Sequence, residues 1–146
     1  HGVSGGALRA WTANSFEAAQ ALLERYRRER PEGIDGVALF LDRVNPELIA
    51  MIPEGVHIVA HVLSVHAETL AQKNGITAVY GIPDMRYDEA EKTWYIGEHR
   101  MADGTVISID GHENQLIYHN SGKVYLGSLP LAGRAGGRCG GARGGR

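Results

Sequence analysis

The sequence predicts an α/β sandwich whose sheet is at least partly parallel. Three observations lead there. Apolar strand patterns and helical patterns alternate from the start of the chain to Tyr80, the order that builds parallel sheets. The run Val37-Ala-Leu-Phe-Leu41 is apolar without a break, as a strand covered on both faces requires. The patterned section from Thr105 to Leu126 is all strand and turn, which adds antiparallel strands.

Each element follows from its residues. Gly5–Thr12 alternates loosely and reads as the first strand. Asn14, with Glu17 three residues later, predicts a capping-box start. Phe16, Ala19, Leu22, Leu23 and Tyr26 then recur at helical spacing, and Pro31 ends the helix. The Arg25–Arg30 run is interleaved with glutamates and reads as the solvated face of that helix. After the strand Val37–Leu41, Asn45 and Pro46 suit the N-cap and N1 positions of a short helix reaching Met51. Val56–Val62 is the next strand, His66–Asn74 a helix closed by Gly75 at C′, and Thr77–Tyr80 a further strand. Ile82–Arg100 is polar, aromatic and irregular, and reads as a long loop with a short hairpin around Trp94–Ile96. Thr105–Ile109, Gln115–Tyr118 and Lys123–Leu126 are strands separated by the turns Asp110-Gly111 and Asn120-Ser-Gly122.

Composition narrows the function. A chain of 146 residues, 43% hydrophobic and 22% charged, is one ordinary globular domain. It has no apolar run of about 18 residues, which argues against a membrane span. No basic-then-apolar stretch opens it, which predicts no secretory signal and a cytoplasmic location. The sole cysteine, Cys139, excludes an internal disulfide framework and a multi-cysteine zinc site. A net charge of −2 argues against a nucleic-acid partner. Residues 128–146 hold four Arg, seven Gly and no acid. They are expected to form a disordered tail outside a folded domain spanning 2–127, introduced by cloning or a shifted reading frame. The other reading of that tail is a flexible cationic strand for RNA.

Histidine is the natural reactive group, with seven in the chain. His57 and His61 fall on one strand face about 13 Å apart, too far for one metal ion, so no metal site is expected. His99, His112 and His119 read as surface residues near strand ends. His66 stands where strand and loop turn into a helix, with Ser64 before it and Ala67 after. The first N–H groups of a helix lack internal partners, and the helix dipole favours an anion there. A histidine so placed can carry a phosphoryl group while the helix start holds the phosphate oxygens. Glu68, in the same turn, would oppose the phosphate unless it points away.

The segment His61-Val-Leu-Ser-Val-His-Ala-Glu-Thr-Leu-Ala-Gln-Lys-Asn-Gly-Ile-Thr-Ala-Val-Tyr-Gly81 resembles the phosphohistidine motif of the phosphoenolpyruvate-utilising enzymes. There, a Gly-Gly-x-Thr-Ser-His-Ala-Ala stretch runs into Ala-Arg-Glu-x-Gly-Ile-Pro-Ala-Val-x-Gly. The match takes in His66, Ala67, Ala71, Gly75, Ile76, Ala78, Val79 and Gly81 without a gap. Gly2-Val-Ser-Gly-Gly-Ala-Leu-Arg9 is similar to the family's Gly-x-Ser-x-Gly-x-Ala opening. Asp103-Gly-Thr-Val-Ile-Ser-Ile-Asp-Gly111 is similar to its Asp-Gly-x-x-Val-x-Val-Asp-Gly ending.

The resemblance implies a swivelling β/β/α domain, a three-layer sandwich, the mobile carrier of pyruvate phosphate dikinase- and phosphoenolpyruvate synthase-like phosphotransferases. It implies His66 as the catalytic phosphoryl acceptor, with Ser64, Val65 and Ala67 binding the phosphate. It implies no cofactor or metal on this domain. Mg and ATP or phosphoenolpyruvate would lie on partner domains of the same enzyme, one nucleotide-binding and one binding phosphoenolpyruvate or pyruvate, so the domain would not complete a turnover alone. The sequence departs from the family at His61 and Val62, where two glycines stand, at Val65 for a serine, and at Gln72 for an arginine. Its loop Pro83–Ala102 is also longer. The alternative reading is a non-catalytic swivel or scaffold domain that keeps the fold with a degraded motif.

Overall fold

The computed structural model describes residues 7–29, 36–119 and 122–127. Strands β1 (Leu8–Thr12), β2 (Gly36–Val44), β3 (Val56–Leu63) and β4 (Ala78–Tyr80) are mutually parallel neighbours. Helices α1 (Phe16–Arg28), α2 (Pro46–Ile49) and α3 (Val65–Lys73) connect them in turn. Strands β8 (Val106–Asp110), β9 (Gln115–Tyr118) and β10 (Lys123–Leu126) extend the sheet antiparallel from β1, giving the order β10-β9-β8-β1-β2-β3-β4. The sheet is mixed, and the domain is α/β with more strand than helix.

The two faces of β2 show why its sequence is apolar throughout. Val37, Leu39 and Leu41 face a core that also contains Leu23 and Tyr26 of α1, Leu48 and Ile49 of α2, and Ala67 and Ala71 of α3. Ala38 and Phe40 face a second core with Met85, Trp94, Ile96 and Met101. All three helices therefore cover one face of the large sheet. The other face is covered by β5 (Met85–Asp88), β6 (Thr93–Ile96) and β7 (His99–Met101), a separate three-stranded antiparallel sheet. The result is three layers: helices, large sheet, small sheet.

That small sheet corrects the expected loop over Ile82–Arg100, of which only the strand pairing near Trp94–Ile96 was foreseen. Its strands are three or four residues long, too short for alternation to show against a polar outer face. Its apolar side chains, Met85, Trp94, Ile96 and Met101, are buried one face at a time. The Trp94 indole N–H also donates to the Ala13 carbonyl at 2.8 Å, tying the small sheet to the end of β1.

Local chemistry sets the helix ends. The N-cap of α1 is Ser15, whose hydroxyl accepts from the Ala18 N–H at 3.1 Å, and not the expected Asn14. Asn45 does cap α2, accepting from the Leu48 N–H at 2.8 Å, with Pro46 at the first turn. At the end of α3, Gly75 adopts φ +74°, and the Gly75 and Ile76 N–H groups bond back to the carbonyls of Gln72 and Ala71, the Schellman arrangement expected of a glycine at C′. The arginines of α1 are exposed, as expected, and pair loosely with Glu24 and Glu29. Pro31, the Gly5–Gly6 part of the first predicted strand, the turn residues Asn120 and Ser121, and the 128–146 tail lie outside the described residues.

Two positions on this frame yield predictions. Gly55 has φ +92°, and a Cβ there would collide with the phenol oxygen of Tyr26, which donates to the Glu54 carbonyl at 3.1 Å. Gly55→Ala should lower stability by about 1–3 kcal/mol through backbone strain alone, read as a drop in the urea midpoint. The second position is His57, buried in β3 with its Nδ1 accepting from the Thr77 N–H at 3.1 Å. Burial pushes its pKa below the ordinary histidine value. Unfolded His57 takes up a proton near pH 6.5 while the folded form does not, so stability falls as pH drops through that range. Urea midpoints taken from pH 7.5 to 5 should decline, and His57→Gln should flatten the decline.

Candidate functional site

Strand β3 delivers the chain to the edge of the sheet at Leu63, and Ser64, still extended, starts α3. The Ser64 hydroxyl accepts from the Ala67 N–H at 3.1 Å, and the Ser64 carbonyl from the Glu68 N–H at 2.9 Å. The N–H groups of Val65 and His66 come before the first helical hydrogen bond, so the helix offers them no acceptor. Ala67 and Ala71 are buried and seat the helix on the sheet. His66 is exposed, and Val65 beside it is 44% exposed.

Of the residues singled out in the sequence, Ser64, Val65, His66 and Ala67 thus share one helical turn. Their roles differ. The N–H of Ala67 is taken by the serine cap, which leaves the N–H groups of Val65 and His66, among the described residues, as the pair open to an anion.

The expected obstacle, Glu68, is held elsewhere. Residues two apart on a helix do not face each other, and the Glu68 carboxylate accepts from the Tyr80 hydroxyl at 2.7 Å. Burial, then this hydrogen bond, then the glutamate's charge hold the Tyr80 phenol well above its ordinary pKa, so the phenol keeps the proton that anchors Glu68. Tyr80 is fixed in turn by Asn114, whose side-chain amide bonds both the N–H and the carbonyl of Tyr80 at 3.0 and 3.1 Å. These groups border a cleft of about 380 Å³ on the flank of α3, lined also by Gln72, Thr77 and His112. No sequence spacing pointed to it, because Glu68, Tyr80 and Asn114 come from three separate elements.

The other histidines scatter. His57 is buried and His61 exposed on β3, the latter with its Nδ1 3.0 Å from Asp42. His112 is exposed. The His119 Nε2 lies 2.6 Å from the Ser108 hydroxyl. His99 corrects the expectation of a simple surface residue. It is half-buried, its ring centre lies 4.4 Å from that of Tyr118, and its Nδ1 is bonded to the Tyr125 hydroxyl, so it joins the small sheet to the large one. Among the described residues, no three His, Cys, Asp or Glu side chains converge to hold a metal ion, and no helix is long and apolar enough to cross a membrane.

No family model matches the chain. Over 82 residues the chain is 32% identical to the pyruvate, phosphate dikinase of Clostridium symbiosum. It is similar to a dikinase over half its length. The similarity covers 52% of this chain and 8% of that enzyme, so the chain corresponds to a small part of its relative.

Proposed function

We propose that the chain is a swivelling phosphoryl-carrier domain of a multidomain phosphotransferase, working in the cytoplasm and taking a phosphoryl group on His66. One observation carries the reading: an exposed histidine stands on the first turn of a helix whose N–H groups at Val65 and His66 are open, where backbone and helix dipole together favour phosphate oxygens. The dikinase similarity supports a phosphotransfer setting. The three-layer arrangement is in keeping with a β/β/α swivelling domain.

The chemistry needs little from the chain. An unprotonated ring nitrogen of His66 attacks phosphorus, since an imidazolium has no free lone pair. The N–P bond forms as the donor's bond to phosphorus breaks, its electron pair leaving with the donor. Val65 and His66 N–H groups bind the phosphoryl oxygens, and Glu68 stays on Tyr80. Donor and acceptor sites, with Mg and ATP or phosphoenolpyruvate, belong to the nucleotide-binding and phosphoenolpyruvate- or pyruvate-binding domains, which a reach of mobile chain would visit in turn.

The test is transfer. The chain is incubated with phosphoenolpyruvate labelled on phosphorus and a phosphoenolpyruvate-binding partner domain. Label should enter the chain as an acid-labile, alkali-stable adduct, the behaviour of an N–P bond. Label that survives acid, as a serine ester does, would overturn the reading.

A further inference from the structure

We propose that His61 is a second phosphoryl-accepting imidazole, held ready by Asp42 in a cleft that His66 does not line. The site arises from topology. Strands β1, β2 and β3 run parallel and end at one edge of the sheet. There Asn14 follows β1, Asp42 lies late in β2, and His61 lies late in β3, while Arg86 and Trp94 come from the small sheet above and Glu89 from the turn between β5 and β6. Together they line a cleft of about 340 Å³.

The pair within the cleft is built for attack. Asp42 Oδ1 stands 3.0 Å from His61 Nδ1. A carboxylate only accepts, so Nδ1 carries the ring proton and Nε2 keeps the lone pair. The two side chains are 49% and 48% exposed, open enough for a donor to reach. His112, 79% exposed and 4.0 Å from the Glu113 carboxylate, has no orienting hydrogen bond to its ring among the described residues. Arg86 also lines the cleft; its guanidinium carbon rests 4.4 Å from the centre of the Tyr95 ring, and on leaving that ring it would offer phosphoryl oxygens paired donors.

The donor class is an N-phosphoryl compound, the bond type of phosphohistidine itself. The Nε2 lone pair of His61 forms the new N–P bond. The donor's N–P bond breaks, and its electron pair leaves on the departing amine, whose nitrogen is already protonated in the donor. The proton on Nδ1 stays, and the positive ring faces the Asp42 carboxylate. This role does not depend on the one given to His66.

The experiment uses the full chain and phosphoramidate, with each histidine's label followed by peptide mapping over time. His61 should label about a hundredfold faster than His112, the low end of what a positioned acid–base partner contributes. Asp42→Asn, which offers an amide where the carboxylate fixed the tautomer, should bring His61 down to the His112 rate and leave His112 unchanged. Arg86→Gln, which leaves the Asp42–His61 bond in place, should slow His61 severalfold, so the proposal stays testable even where Asp42→Asn does not fold. Equal rates at His61 and His112 in the unaltered chain would overturn it, as would a ratio that survives either substitution. The His66 label is read in the same digest, so failure at one site is distinct from failure at the other.

Discussion

Phe40→Ala should destabilise the domain by about 3–5 kcal/mol, the range for emptying a buried aromatic site. Phe40 has no exposed surface and sits mid-strand in β2, in register with Thr12 on one side and Val59 on the other. Its side chain belongs to the core between the two sheets, with Trp94, Ile96 and Met101. Those neighbours come from the small sheet and are held by its own strand pairing, so they cannot collapse into the space. With a urea dependence of about 1–3 kcal/mol per molar, the midpoint should fall by more than 1 M. A variant that unfolds at the wild-type midpoint would show that the small sheet does not press on Phe40, and the layered architecture would be wrong.

His66→Ala should abolish phosphoryl acceptance from the phosphoenolpyruvate-dependent donor and leave the domain folded. The side chain is exposed, and surface substitutions of this kind change stability by about 0.5 kcal/mol or less. Loss of label with an unchanged melting curve therefore separates chemistry from folding. Ser64→Ala should behave differently. It removes the acceptor of the Ala67 N–H, lowers stability by about 1 kcal/mol as a lost helix cap, and weakens transfer without ending it, because the attacking nitrogen remains.

The central parallel strands of the large sheet were legible because they are buried on both faces, and its antiparallel strands because their turns carry glycine. Val37–Leu41 and Val56–Val62 gain their meaning from composition alone, and they are adjacent parallel strands with Ala78–Tyr80 beside them. The small sheet was not legible. Its first and last strands bury one side chain each and the middle one three, and its turns pass through Lys92, which holds φ +54°, and Gly97, so the segment reads as irregular. Asn14 and Ser15 are both good caps, and the choice between them rests on where β1 ends, which pairing with β2 decides. At the candidate site, the local half was readable: Ser64 through Ala67 form one helical turn. The distant half was not, since Tyr80 reaches Glu68 and Asn114 reaches Tyr80 only in the folded chain. The same holds for Asp42 and His61, which neighbouring strands bring together from 19 residues apart.

The central claim is that His66 carries the phosphoryl group, and direct location of the adduct tests it. The chain is labelled by phosphoenolpyruvate through the partner domain, digested under alkaline conditions that spare N–P bonds, and the modified residue is read by fragment mass. The account predicts phosphate on the imidazole of His66, absent in His66→Ala and retained in His57→Ala and His61→Ala. A chain that takes no label on His66 while the partner domain is active, or that takes it on Ser64 as an acid-stable ester, contradicts the account and leaves a scaffold that keeps the fold without the transfer.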